Sequence, residues 1–208
     1  MFEEIKNMPS GFRCQILSWA TVLNTVERLA KIIKDTQFRP DIVIAIGRGG
    51  YVPARILCDY LLLKDLTSIK VEHWGIAATE TERATIKFPL CTDIKDKKVL
   101  LVDDITDTGD TLFVSLEYLK EFHPKEIKTA VLIHKICSKI TPDYYARKVV
   151  KWRWIIFPWH IWEDLHGFIR RLKDLGIDDE KTLKKELKRL FNINIDVKTI
   201  TAIIADLK

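Results

Sequence analysis

Cysteine is scarce in this chain of 208 residues, and its four copies, Cys14, Cys58, Cys91 and Cys137, are widely scattered. No two stand at the close spacing of a zinc site or a redox pair, so the thiols are expected to be reduced and structural. Long apolar runs are also missing, and nothing approaches the roughly 20 residues of a membrane span. The opening Met1-Phe-Glu-Glu-Ile-Lys is acidic and lacks the apolar segment of a secretory leader, which predicts a cytoplasmic protein. No dense Lys/Arg block lies beside aromatic residues, as it would on a nucleic-acid platform. The formal charge of +5 is modest and suits a polyanionic small substrate. No internal repeat or low-complexity stretch is evident.

What is present is a globular composition, 47% hydrophobic and 30% charged. The length allows one well-buried α/β domain with an appendage, or two small domains; one main core is expected. Apolar residues at Val22, Leu23, Val26, Leu29, Ile32 and Ile33 predict a helix over 18–35, with Ser18 or Thr21 as cap. Residues 41–46 read as a buried strand, followed by Gly47-Arg-Gly-Gly50 and a helix from about Val52 to Leu63 with Pro53 in its first turn. Further strands are expected over 69–74, 98–102, 127–133 and 152–157, and a helix over 111–121. The polar stretch 75–90 lacks clear periodicity and reads as a mobile loop, with ragged strand ends as the alternative. This alternation predicts an α/β fold with a mostly parallel sheet flanked by helices. After Pro158 the texture changes to three amphipathic helices: Ile161 to Leu175, the stripe Leu183 to Phe191, and the stripe Val197 to Leu207. The boundary is expected at 159/160, dividing a core of 1–159 from a three-helix extension of 160–208.

The string Lys98-Val-Leu-Leu-Val-Asp-Asp-Ile-Thr-Asp-Thr-Gly-Asp-Thr111 carries the chemistry. An apolar strand ends in three carboxylates and a Thr/Gly turn before a helix. In open α/β sheets ligands bind beyond the carboxyl ends of strands, and Thr108, Gly109, Asp110 and Thr111 would offer N–H and hydroxyl donors to a phosphate. Asp103 and Asp104 suit sugar hydroxyls or a divalent cation. Asp-Asp after a strand and Thr-Gly before a helix are also ordinary turn and capping choices, which explain each residue singly but not the string. In Gly47-Arg-Gly-Gly50 the glycines let backbone approach an anion, and Arg48 adds a guanidinium. A dinucleotide-binding turn also follows a first strand, with Glu72 as its ribose acid, but Val52 stands where that turn needs a glycine.

The string resembles the signature of the type I phosphoribosyltransferases, in which a hydrophobic run, two acidic residues, a spacer and Asp-Thr-Gly-x-Thr bind phosphoribosyl diphosphate. The resemblance implies the type I phosphoribosyltransferase fold and attack by a purine ring nitrogen on C1 of the sugar, with diphosphate leaving. It assigns Asp103 and Asp104 to the ribose hydroxyls, directly or through Mg2+, and Thr108, Gly109, Asp110 and Thr111 to the 5′-phosphate. Arg48, Gly49 and Gly50 fall to the diphosphate, with a cis peptide at Gly47–Arg48. Asp107 falls to proton transfer at the base, with a helix N-cap as its alternative role. The stretch 75–90 takes the place of a closing lid, in which Arg83 and Lys87 either touch phosphate or are merely solvated. Lys135, Trp154 and Ile155, within a base-binding segment of 135–159, resemble the 6-oxopurine branch, where a lysine donates to the 6-oxo group and an aromatic residue stacks on the ring. Trp152, Trp154 and Trp159 could instead pack a core. The helical tail resembles that of the crenarchaeal adenine phosphoribosyltransferases, so adenine is the expected acceptor and a 6-oxopurine the alternative. A homodimer is expected, with phosphoribosyl diphosphate and a purine base as partners and no nucleic acid or membrane. A non-catalytic, nucleic-acid-binding sensor is the rival reading; the nearly balanced charge of the tail argues against it.

Overall fold

Apolar runs four or five residues long at 42–46, 99–102 and 130–133 build the centre of a six-stranded sheet, seen in a computed structural model that describes residues 12–73 and 84–207. The strands in chain order are β1 (Cys14–Ile16), β2 (Ile42–Gly47), β3 (Leu66–His73), β4 (Ala84–Phe88), β5 (Lys98–Thr106), β6 (Glu126–Lys135), β7 (Tyr144–Val149) and β8 (Trp154–Ile156). The helices are α1 (Trp19–Lys34), α2 (Tyr51–Leu61), α3 (Asp110–Lys120), α4 (Ile161–Asp174), α5 (Glu180–Phe191) and α6 (Val197–Asp206). Two compact units result, residues 22–152 and residues 1–21 with 153–208.

In the first unit the sheet runs β4-β3-β2-β5-β6-β7, parallel except for the antiparallel β3–β4 pair. All six residues of β2 are buried, as a parallel strand covered on both faces requires. Ile42, Ile44, Ile46, Val99 and Leu101 pack with Leu112 and Leu119 of α3 in one apolar cluster. Each such side chain contributes about 1.5–3 kcal/mol when fully buried. From β2 the chain proceeds to β3 on one side, and from β5 to β6 on the other, so the strand order reverses between β2 and β5. Their register, Ala45 opposite Val102, brings the two carboxyl ends together at this switch point.

The second unit joins β1 and β8 as a parallel pair, Cys14 opposite Trp154, with helices α4 to α6. Isolated helices of 10–14 residues are marginal, so these depend on their shared stripe: Leu165, Phe168, Ile169, Leu172, Leu183, Leu187, Phe191, Ile200 and Ile203 are all buried together. Asp179 and Asp196 cap α5 and α6 by accepting from Thr182 N at 2.8 Å and Thr199 N at 2.7 Å.

Four expectations are corrected. The stretch 75–90 is not loop throughout, because Ala84–Phe88 forms β4 against β3, where Lys87 and Lys70 flank Glu72. β7 is an additional parallel strand on β6, hidden in the sequence by Arg147 and Lys148. The strand expected at 152–157 is only Trp154–Ile156, and it pairs with β1, which periodicity over three residues cannot reveal. Finally, β5 continues through Thr106, so Asp103 and Asp104 lie within the strand.

Candidate active site

The β5–β6 register decides what gathers beyond the sheet. Thr106 stands opposite His134, their side chains 2.9 Å apart from Oγ1 to Nδ1. The next residue of each segment, Asp107 and Lys135, therefore emerges beside the other. The Lys135 ammonium, only 2% exposed, pairs with Asp107 Oδ2. The other oxygen, Oδ1, accepts from Trp152 Nε1 at 3.1 Å and lies 3.8 Å from Cys137 Sγ. Lys135 Nζ also sits 4.5 Å from the Trp152 ring centroid. The capping role left open for Asp107 is not used, since the N-cap of α3 is Gly109 at φ 92°. A side chain at 109 would also meet Ser138 Oγ at 2.7 Å.

Upstream on β5 stand two consecutive carboxylates, Asp103 and Asp104. Asp104 is 7% exposed and lies against Gly49: a Cβ built there would fall 2.6 Å from Asp104 Cγ and 2.7 Å from Oδ1. Asp103 Oδ1 accepts from Asp104 N at 2.9 Å. Burial, with the Asp104 carboxylate next, holds the Asp103 carboxyl well above the usual range. Two crowded carboxylates of this kind are relieved by hydroxyl donors or a cation. The Gly47–Arg48 peptide is cis, as the family resemblance implies. Gly50 N donates to Ile46 O at 2.8 Å, closing the turn that leaves Arg48 exposed.

The helix α3 N-terminus follows directly. Asp110 N donates to Thr108 Oγ1 at 3.4 Å, and Lys139 Nζ lies 3.4 Å from Asp110 Oδ1. Lys139 thereby offsets the one acidic charge in the first turn of a helix whose positive end favours anions. Thr111 lies in the same turn.

The remaining sequence candidates are distributed differently. Lys87 is on β4, its Nζ 2.8 Å from Glu72 Oε2, and with Lys70 it holds the Glu72 carboxyl below the usual range. Arg83 lies outside the described residues. Trp154 and Ile155 belong to the second unit. There the Trp154 ring stacks on Phe12, centroids 6.5 Å apart, and its Nε1 donates to Asp164 of α4 at 3.1 Å. Burial pushes the Asp164 carboxyl up. Ile155 is buried. A cavity of about 230 Å³ beside Trp154 is lined by Phe12, Asp164, Gly167 and Phe168 among others. Sequence reasoning missed Trp152 and Cys137 as neighbours of Asp107; alternation with Trp154 was the only signal, and it suggested core. Among the described residues no group of three His, Cys, Asp or Glu could hold a metal ion unaided, and no helix is long and apolar enough to cross a membrane.

A sheet that presents a glycine turn, an acidic strand end and a helix N-terminus at its switch point can hold a phosphorylated sugar, and the comparisons agree. The chain belongs to the phosphoribosyl transferase domain family, whose model matches residues 14–163. It is similar to a solved structure of a purine phosphoribosyltransferase from Pyrococcus horikoshii, with 36% identity and a TM-score of 0.64 over 71% of this chain and 94% of that one. It is 29% identical to a hypoxanthine-guanine phosphoribosyltransferase of Saccharomyces cerevisiae, over 70% of this chain and 85% of the relative. A xanthine-guanine phosphoribosyltransferase of Gluconobacter oxydans is 31% identical over 56% and 67%.

Proposed function

We propose that this enzyme transfers the 5-phosphoribosyl group from phosphoribosyl diphosphate to a 6-oxopurine base, hypoxanthine, guanine or xanthine, in purine salvage. The observation that carries it is the juxtaposition of Asp107 with Lys135 beyond β5, next to the phosphate-type turn. The names of the curated relatives favour a 6-oxopurine over the adenine expected from the tail.

In this reading the first turn of α3, with Thr108, Gly109, Asp110 and Thr111, holds the 5′-phosphate, and Arg48, Gly49 and Gly50 hold the diphosphate. Asp103 and Asp104 accept from the ribose hydroxyls. Their crowding also fits a divalent cation that completes its shell with substrate oxygens, as Mg2+ does, and a bound Mg2+ would neutralise charge on the departing diphosphate. Lys135, with three donors and no acceptor, suits an oxo group. When that group takes the ammonium, Asp107 Oδ2 is released to hold a proton at the imidazole edge as the ring nitrogen bonds to C1. Lys87 would belong to the covering segment. A cytoplasmic homodimer is part of the same proposal.

Adenine is the second reading, favoured by one observation: the Lys135 ammonium is already engaged by Asp107 and the Trp152 ring, and adenine's amine makes no demand on it. Diphosphate release measured with adenine, hypoxanthine, guanine and xanthine in turn decides the matter. Release with a 6-oxopurine alone supports the proposal, and release with adenine alone overturns its acceptor. Binding of phosphoribosyl diphosphate without release for any base would leave a sensor rather than an enzyme.

A further inference from the structure

An ion pair between a proton-transfer carboxylate and a base-binding ammonium poses a difficulty. Substrate binding must break it, and from then on neither partner positions the other. Trp152 touches both. Its indole N–H donates to Asp107 Oδ1 at 3.1 Å, leaving Oδ2 to Lys135. Its ring face lies 4.5 Å from the Lys135 ammonium. A π-face attracts a cation without neutralising it and without consuming its hydrogen-bond donors in the plane of the base. Simple core packing does not explain the placement, because Trp152 is 36% exposed and follows β7 in a connecting segment. Among the described residues the groups facing Asp107 are Lys135 from the end of β6, Cys137 from the turn after it, and Trp152.

We propose that Trp152 is a positioning residue of the transfer reaction: its N–H keeps Asp107 oriented, and its ring keeps Lys135 stationed, during the interval in which the incoming base separates the two. This rests on the assignment of Asp107 and Lys135 to the base given above. The N–H and the ring make separable contributions. Trp152→Phe keeps a ring under Lys135 but removes the donor, and Trp152→Leu removes both.

Steady-state kinetics with the accepted purine is the first test. Trp152→Phe is expected to lower kcat roughly tenfold with KM for the base within twofold of wild type, the size of one hydrogen bond to a charged group. Trp152→Leu is expected to lower kcat equally and to raise KM for the base about three- to tenfold. A merely structural tryptophan would give neither split, and a Phe variant with wild-type kcat overturns the proposal. The second test needs no turnover. In 15N-labelled protein the indole resonance absent from Trp152→Phe belongs to Trp152, and in Asp107→Asn that resonance is expected to move while the other indole resonances stay. An unmoved resonance overturns the contact itself. If the wild type releases no diphosphate with any purine, the proposed function has failed, and the indole test still decides whether Trp152 holds Asp107.

Discussion

Three glycines of one turn should respond to alanine in three different ways, because the space around each is bounded by different atoms. At Gly50 a Cβ would lie 2.7 Å from Ile46 O and 2.9 Å from Ile46 N, and closer still to Val102 O. These are main-chain atoms of β2 and β5, the two central strands, and neither can move without opening the ladder between them. Overpacking against backbone costs about 3 kcal/mol. At about 2–4 °C per kcal/mol for a chain of this size, Gly50→Ala should melt roughly 6–12 °C below wild type. At Gly49 the obstacle is the Asp104 carboxylate, with Cγ 2.6 Å away. Its nearest oxygen must retreat by about 1 Å to reach ordinary contact, at about 1 kcal/mol in stability, but under the proposed assignment of Asp104 to the ribose a displacement of that size costs on the order of 100-fold in turnover. At Gly47 the nearest atoms are Tyr51 Oη at 2.6 Å and Cζ at 2.8 Å, the far end of a side chain that is 44% exposed and can swing outward. Gly47→Ala should therefore melt within about 3 °C of wild type. Thermal melts with and without phosphoribosyl diphosphate, together with kcat/KM for that substrate, read all three. A Gly50→Ala protein melting within about 2 °C of wild type, or falling less than Gly47→Ala, would refute the reasoning.

Other perturbations test the surrounding groups. Asp107→Ala leaves the buried Lys135 ammonium without its counter-charge and should cost about 2 kcal/mol in denaturant titration, less than a fully buried pair because the Asp107 side chain is 35% exposed. Adding Lys135→Met should recover most of that loss, and additive losses in the double-mutant cycle would argue against coupling. Asp103 has a folded-state pKa above its unfolded value, so its contribution to stability is full below about pH 4 and is lost as pH rises. Asp103→Asn should accordingly raise Tm at pH 7, with the gain shrinking toward pH 4, while abolishing stabilisation by phosphoribosyl diphosphate with Mg2+; an unchanged Tm difference across that range counts against the crowding argument. Gly167 lies inside α4, and a Cβ there meets nothing within 4 Å. Gly167→Ala should raise stability by about 0.5–1 kcal/mol, and a lowered Tm would mean that the helix needs the glycine.

The parts of this site that were legible in the sequence are local. The apolar run into Asp103 and Asp104, the Thr108–Thr111 turn and the Gly47–Gly50 loop each occupy adjacent residues whose chemistry and spacing can be read directly. The three tail helices were legible for the same reason: their stripes repeat at helical spacing, and Gly176 closes the first. What escaped notice depends on register. Lys135 and Asp107 are 28 residues apart, and only the pairing of Thr106 with His134 places them side by side. β1 and β8 have three residues each, too few for any period, and acquire their meaning from one another across most of the chain. β7 and β4 are edge strands, whose exposed faces admit Arg147, Lys148 and Lys87 and so dilute the apolar signal. Trp152 illustrates the same limit in the other direction. Its spacing from Trp154 suggested a shared strand face, yet the strand begins at Trp154, and Trp152 instead contacts a carboxylate just beyond β5 and an ammonium at the end of β6. Under the proposed assignment a motif can therefore identify the sugar-phosphate half of the site, because consecutive residues of each loop would hold it. The proposed base half would draw on side chains of several segments, and its specificity has to be argued from the fold.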